Sequence, residues 1–254
     1  MKSFSHLFRL PSAPALRLPS AVILLVTGLV LATSTWAGIF SVTPVRIYMK
    51  PQDRAVAVTI INEGESEVVL QADLNVWSQK PDGTDEQVPT DDLILSPPII
   101  KLAPNARQVV RLARLQPADA SRQLIYRMIM REVPEALALK DSSIQLQITL
   151  ALSMPVFITP LPAKREMSCQ ANRDTAQALN VSCANSGTAY AQVREILVKR
   201  GAQVLTRFEG GTYILPGARQ VMKVKEEQFI APGAAQLSVS FDDGKSEIFD
   251  VTVP

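Results

Sequence analysis

The chain has 254 residues, 47% of them hydrophobic, with 26 Lys and Arg against 24 Asp and Glu, two Cys and a single His. Charge this evenly balanced, with no basic stripe or aromatic-interleaved patch, excludes a nucleic-acid-binding surface. One histidine is too few for a His-rich metal site, and because that residue, His6, lies near the amino terminus the chain beyond residue 37 has none for a Ser-His-Asp or Cys-His arrangement.

The first 37 residues read as an export signal. Lys2, Arg9 and Arg17 make a basic start, Ala21 to Ala32 is apolar, and Thr35-Trp36-Ala37 places small residues last and third-last before a cut. An uncleaved anchor is the alternative, but the apolar run is shorter than the ~20 residues a spanning helix needs. This segment carries three of the 26 basic residues, none of the acidic ones and the only histidine, His6. The chain from Gly38 is therefore close to neutral and free of histidine, and no stable membrane insertion is expected after cleavage.

From Gly38 onward the pattern is β. Phe40 to Met49 is extended but interrupted by Pro44, which suits an edge strand because proline donates no ladder bond. Arg46 sits among Val45, Ile47 and Tyr48, an unusual setting for a charge. Val56, Val58 and Ile60 alternate before Asn62-Glu63-Gly64-Glu65-Ser66, and Val68 to Val76 alternate after it, which predicts an antiparallel hairpin. A polar loop from Pro81 to Asp92 follows. Two short strands, Leu93 to Leu95 and Val109 to Leu112, are then divided by proline turns. Leu124 to Val133 is a strand with Leu124, Tyr126, Met128 and Met130 on one face and Ile125, Arg127, Ile129 and Arg131 on the other.

The cleanest alternation in the chain comes next. Ile144, Leu146, Ile148, Leu150 and Leu152 form one apolar row opposite Gln145, Gln147, Thr149 and Ala151. Met154 to Phe157 then leads into Thr159-Pro160-Leu161-Pro162, which reads as a domain boundary. Further strands follow at Leu179 to Val181, Ala191 to Leu197, Val204 to Phe208, Val221 to Val224, Leu237 to Phe241 and Ile248 to Val253, with Asp243-Gly244 as a hairpin turn. Cys169 and Cys183 in an exported chain read as a disulfide. Free thiols or half of a metal site are the weaker alternatives.

These elements predict an all-β chain of two immunoglobulin-like sandwiches in tandem, residues 38–158 and 159–254. A single long barrel is the alternative architecture. The sequence offers no nucleophile elbow, phosphate-cradling glycine loop or Cys-x-x-Cys pair. Asp91-Asp92, Glu226-Glu227 and Asp242-Asp243 sit in polar runs or turns and read as solvated charge. No enzyme activity, cofactor, metal or small-molecule substrate is expected. The apolar row of 144–152 at a domain junction points instead to a binding module, because an exposed apolar strand is normally avoided unless a partner covers it.

Several segments together carry a family resemblance. They are Pro44-Val45-Arg46, Ser96-Pro97-Pro98 with Leu102-Ala103-Pro104-Asn105, Val109 to Leu112, Tyr126-Arg127 with Arg131-Glu132-Val133-Pro134, and the row from Ile144 to Leu152. In the second half, Asn185-Ser186-Gly187-Thr188 and Leu215-Pro216-Gly217 join them. In order and spacing the chain resembles the periplasmic pilus-assembly chaperones of the chaperone-usher pathway. The resemblance implies that residues 144–152 donate a strand to an incomplete pilus subunit, a mode of β-strand addition, and that the subunit is passed to an outer-membrane usher.

It also implies that the two sandwiches are set at an angle with a cleft between them, and that two cations in this cleft anchor the subunit's terminal carboxylate. Arg46 matches the first by position. Where a lysine is expected near the end of the donor strand the chain has Pro155, which resembles the archaic branch of the family, carrying Tyr-Arg on the preceding strand, more than the P-pilus branch. Arg127 is then the second candidate, with Lys164 and Arg165 behind it. The competing reading is an exported immunoglobulin-like pilin or adhesin. Such a subunit should begin with a free alternating segment, and Phe40 to Met49 is broken by Pro44.

Overall fold

The computed structural model describes residues 40–134, 149–174, 178–225 and 229–254. The export signal, Glu226-Glu227 and the residues Ile144, Leu146 and Ile148 of the apolar row lie outside them. The chain is all-β, built as two sandwiches of two sheets each.

The first sandwich takes β1 (Phe40–Thr43), β2 (Ile47–Met49), β3 (Ala55–Asn62), β4 (Val68–Gln79), β5 (Asp85–Pro89), β6 (Leu93–Ser96), β7 (Ile99–Leu102), β8 (Arg107–Arg114), β9 (Leu124–Glu132) and β10 (Ala151–Ile158). One sheet has the order β1-β3-β8-β6. The other runs β2-β10-β9-β4-β5, with β7 also on β4. Phe40 to Met49 is thus two edge strands in different sheets, and the change of sheet falls at Pro44, where a ladder would miss its N–H.

Two expectations need correction. Residues 56–60 and 68–76 are not a hairpin, since β3 pairs with β1 and β8 while β4 lies in the opposite sheet. The turn between them crosses the sandwich and is held by buried Asn62, whose side-chain amide donates to the carbonyls of Ser66, Leu102 and Ala103. The loop after Pro81 also contains a strand, β5, paired to β4 with all five residues exposed. Sidedness then gives no apolar signal to read.

The predicted face of β9 is borne out. Leu124, Tyr126, Met128 and Met130 join Ile47, Leu70, Leu112, Val156 and Ile158 in the first core. β10 begins seven residues later than the apolar row and runs through Pro155, so Met154 to Phe157 is strand interior rather than linker. Its proline is tolerated because β2 joins that edge, in parallel, only from Val156.

The second sandwich takes β11 (Met167–Arg173), β12 (Leu179–Asn185), β13 (Ala191–Arg200), β14 (Gln203–Ile214), β15 (Arg219–Lys223), β16 (Gly233–Phe241) and β17 (Ser246–Val253). Its sheets are β11-β12-β15 and β14-β13-β16-β17, closing over a core that includes Val181, Val193, Ile196, Leu237 and Val239. Asp243-Gly244 makes the β16–β17 turn as expected.

Cys169 and Cys183 are register partners on β11 and β12 and form a buried disulfide. Closing a loop of this size stabilises by about 3 kcal/mol in the chain-entropy model. The Cys169→Ala/Cys183→Ala double variant should therefore lose ~2 to 4 kcal/mol in urea unfolding, and dithiothreitol should no longer alter its midpoint.

A third cluster joins the two sandwiches. Trp77, Ile125 and Phe157 of the first pack with Leu215 of the second, and Tyr190 and Tyr213 close around them. Gln79 donates to the Tyr213 carbonyl and accepts from the Leu215 N–H. Gln123 ties in Thr188 and Tyr190 through its backbone and side chain. The β4–β5 turn docks on β15, where Gln220 donates to the Gly83 carbonyl. Gly83 is required there twice, by its φ of +88° and because a Cβ would meet the Arg219 carbonyl oxygen. Gly187 is required by close approach, since a Cβ would strike the backbone of Lys164 and Glu166.

Candidate functional site

The site is built where β10, β2 and β9 meet the second sandwich. β9 covers one edge of β10 from Ala151 to Ile158. On the other edge β2 pairs only with Val156 to Ile158, so among the described residues the edge over Ala151 to Pro155 carries no strand. Unpaired N–H and C=O groups of this kind are a template for another chain.

Of the apolar row, Leu150 is exposed, and its carbonyl accepts from the Glu132 N–H. Leu152 is half-buried and packs against the first core. Within the described part of the row, Leu150 is thus off the core and Leu152 against it; Ile144, Leu146 and Ile148 lie outside the described residues.

Arg46 immediately precedes β2, at the end of the open edge. Its Nη1 donates to Asp242 Oδ2 at 2.5 Å and to the Tyr48 hydroxyl at 3.1 Å, and its Nη2 donates to Gln192 Oε1 at 2.5 Å. Tyr190 also donates to Asp242 Oδ2, and its hydroxyl lies 2.8 Å from that of Tyr48. Burial, strengthened by the bonds to Tyr48 and Asp242, pushes the Tyr190 pKa up and keeps this hydroxyl a donor. Asp242 is thus no solvated turn charge but a partner of Arg46.

Arg127 is held differently. Its guanidinium carbon lies 3.6 Å from the Trp77 ring centroid and 5.7 Å from that of Tyr213. Arg46 lies 5.7 Å from the same Tyr213 ring. Arg127 makes no hydrogen bond or ion pair among the described residues, and its Nε is buried without a partner. Burial pulls its pKa down, opposed by the Asp85 carboxylate, so an arriving anion would offset part of the cost of burying this cation.

Lys164 and Arg165 are engaged elsewhere. They line a cleft of about 610 Å³ with Tyr48, Tyr190 and Asp242. Lys164 pairs with Glu166, while Arg165 pairs with Asp243 and Glu247 over the Phe241 ring. The structure brings together Arg46 and Arg127 around one ring and leaves Lys164 and Arg165 in satisfied pairs. Sequence reasoning missed Trp77, Tyr190, Gln192, Tyr213 and Asp242. No local period marks them, because each acts through partners distant in sequence.

Comparison with known proteins bears on the family and the fold. The sequence model of the pili and flagellar-assembly chaperones, PapD N-terminal domain, matches residues 39–164, about half the chain. No curated protein matches. Among solved structures the fold is similar to a chain of the CsuC–CsuE chaperone–tip adhesion subunit pre-assembly complex from archaic Csu pili of Acinetobacter baumannii, with TM-score 0.61 and 16% identity over 85% of this chain and 99% of that one. It is also similar to the chaperone DraB of E. coli (TM-score 0.57, 16% identity, 85% and 97% covered). A chain of the Salmonella enterica SafA pilin–SafB chaperone complex is a third (TM-score 0.56, 14% identity, 87% and 99% covered). A matched chaperone domain, carried on a fold of two sandwiches, places the chain in the PapD-like family of periplasmic pilus-assembly chaperones, which are not enzymes.

Proposed function

We propose that this chaperone caps an incomplete pilus subunit by adding its own strand to the subunit's open groove, then passes the subunit to an outer-membrane usher. The donor row is Ile144, Leu146, Ile148 and Leu150, with Leu152 at its inner end. The observation that carries this reading is the edge of β10 over Ala151 to Pro155, unpaired among the described residues, which ends beside two guanidiniums sharing the Tyr213 ring. Main-chain bonds along the edge give general affinity, and the aliphatic side chains fill the groove. At ~1.5 to 3 kcal/mol per buried aliphatic, the four residues of the row other than Leu152, which packs on its own core, supply on the order of 6 to 12 kcal/mol gross. Ordering and association costs reduce that sum.

Arg46 and Arg127 are the proposed anchors for the subunit's terminal carboxylate. Pro155 where a lysine is expected, with Arg127 near at hand, supports the archaic branch of the family. Residues 1–37 are the proposed export signal, and 38–158 and 159–254 the proposed domain limits. Co-expression with candidate pilus subunits in a periplasm should give a one-to-one complex on purification; recovery of the folded chaperone alone with every subunit tried would argue against the reading. In the same assay Arg46→Ala and Arg127→Ala should each weaken retention by ~1.5 to 3 kcal/mol, the range for a hydrogen bond to a charged group. Unchanged retention in both would remove the anchor.

A further inference from the structure

Resting on the carboxylate-anchor reading above, we propose that Asp242, Tyr190 and Gln192 are positioning residues, which hold the Arg46 guanidinium ready for an incoming carboxylate. All three belong to the second sandwich, while Arg46 belongs to the first, so the anchor is completed only across the junction.

A guanidinium has five N–H donors. Arg46 uses three of them, two on Nη1 and one on Nη2, toward Tyr48, Asp242 and Gln192. Its Nε–H and one Nη2–H have no partner among the described residues. The partners are themselves fixed. Gln192 is buried, and its amide nitrogen donates to the Gly211 carbonyl, which turns its oxygen toward Arg46. Asp242 Oδ2 accepts from both Arg46 and Tyr190, and the Tyr190 ring is stacked on Phe157 with centroids 4.0 Å apart. Arg46 Nη1, the Tyr48 hydroxyl, the Tyr190 hydroxyl and Asp242 Oδ2 make a closed ring of hydrogen bonds.

A flexible arginine would have to be ordered by each ligand it meets, which costs affinity. Here the ordering is done beforehand by the second sandwich. Because two donors remain, a carboxylate can add without evicting Asp242. Asp242 is then a support for the cation and not a rival for it.

The test uses acetate as the probe and follows the Arg46 Nε–H resonance of the ¹⁵N-labelled protein by NMR, assigned with Arg46→Lys. In the wild type this resonance should be sharp and should shift saturably with acetate. In Asp242→Ala it should broaden, and acetate should bind about three- to tenfold more weakly. Asp242→Asn keeps the acceptor oxygen and should restore both the sharp signal and the binding, a rescue that a bracing role through charge alone would not give. Tyr190→Phe preserves the stack and removes the hydroxyl, so the same broadening is read there should Asp242→Ala fail to fold. Tighter acetate binding in Asp242→Ala would make Asp242 a competing carboxylate and overturn the proposal, as would an unchanged signal and affinity in both variants. A sharp wild-type resonance that ignores acetate would instead remove the anchor reading on which the proposal rests.

Discussion

Ile148→Asp combined with Leu150→Asp is expected to abolish recovery of pilus subunits with a chaperone that remains folded. Two aliphatic side chains buried in a subunit groove are worth ~3 to 6 kcal/mol together, and a carboxylate placed in that groove adds a desolvation cost. The loss in affinity should therefore be a hundredfold or more, on the order of 3 kcal/mol at least. Leu150 suits the experiment because it is exposed in the free protein. Leu152 does not, since it packs against the first core and its replacement by Asp would damage the chaperone itself. A folded double variant that still co-purifies with subunits would sink the donor-strand assignment.

The largest loss of stability is expected from Phe157→Ala. This side chain is fully buried in the junction, with its ring 5.7 Å from Tyr48 and 4.0 Å from Tyr190 between centroids. Truncating a buried phenylalanine costs ~3 to 5 kcal/mol through lost transfer energy and the cavity left behind. Urea unfolding should report that loss. Subunit retention should fall as well, because Tyr48 and Tyr190 support Arg46. A destabilisation below about 1 kcal/mol would mean that the rings collapse into the vacated space.

How much of this could be read from the sequence depended on whether the signal was local. The face of β9, the β16–β17 turn and the disulfide follow from alternation, turn chemistry and cysteine pairing in an exported chain. Pairing of β3 with β4 was a wrong inference from adjacency, because alternation says which residues face a core but not which sheet a strand joins. β5 was invisible since none of its residues is buried. In the candidate site, Arg46 stood out because a charge among apolar neighbours is unusual. Its partners Gln192 and Asp242 lie 146 and 196 positions away, and Asp242 was disguised by the turn sequence beside it. The ion pairs that set Lys164 and Arg165 apart from Arg127 likewise exist only after folding.

The parallel pairing of β2 with β10 has a consequence for direction. β2 occupies the outer edge of β10 from Val156 onward, so any strand added over Ala151 to Pro155 must stop where β2 starts. Arg46 stands at that stop. An added strand running antiparallel to β10 would bring its amino end, a cation, against this guanidinium. One running parallel would bring its carboxyl end, and attraction replaces repulsion. Under the proposed function the fold therefore selects both a chain end and its polarity: a subunit strand is accepted only by its carboxyl terminus, with β2 as the ruler that fixes where it ends.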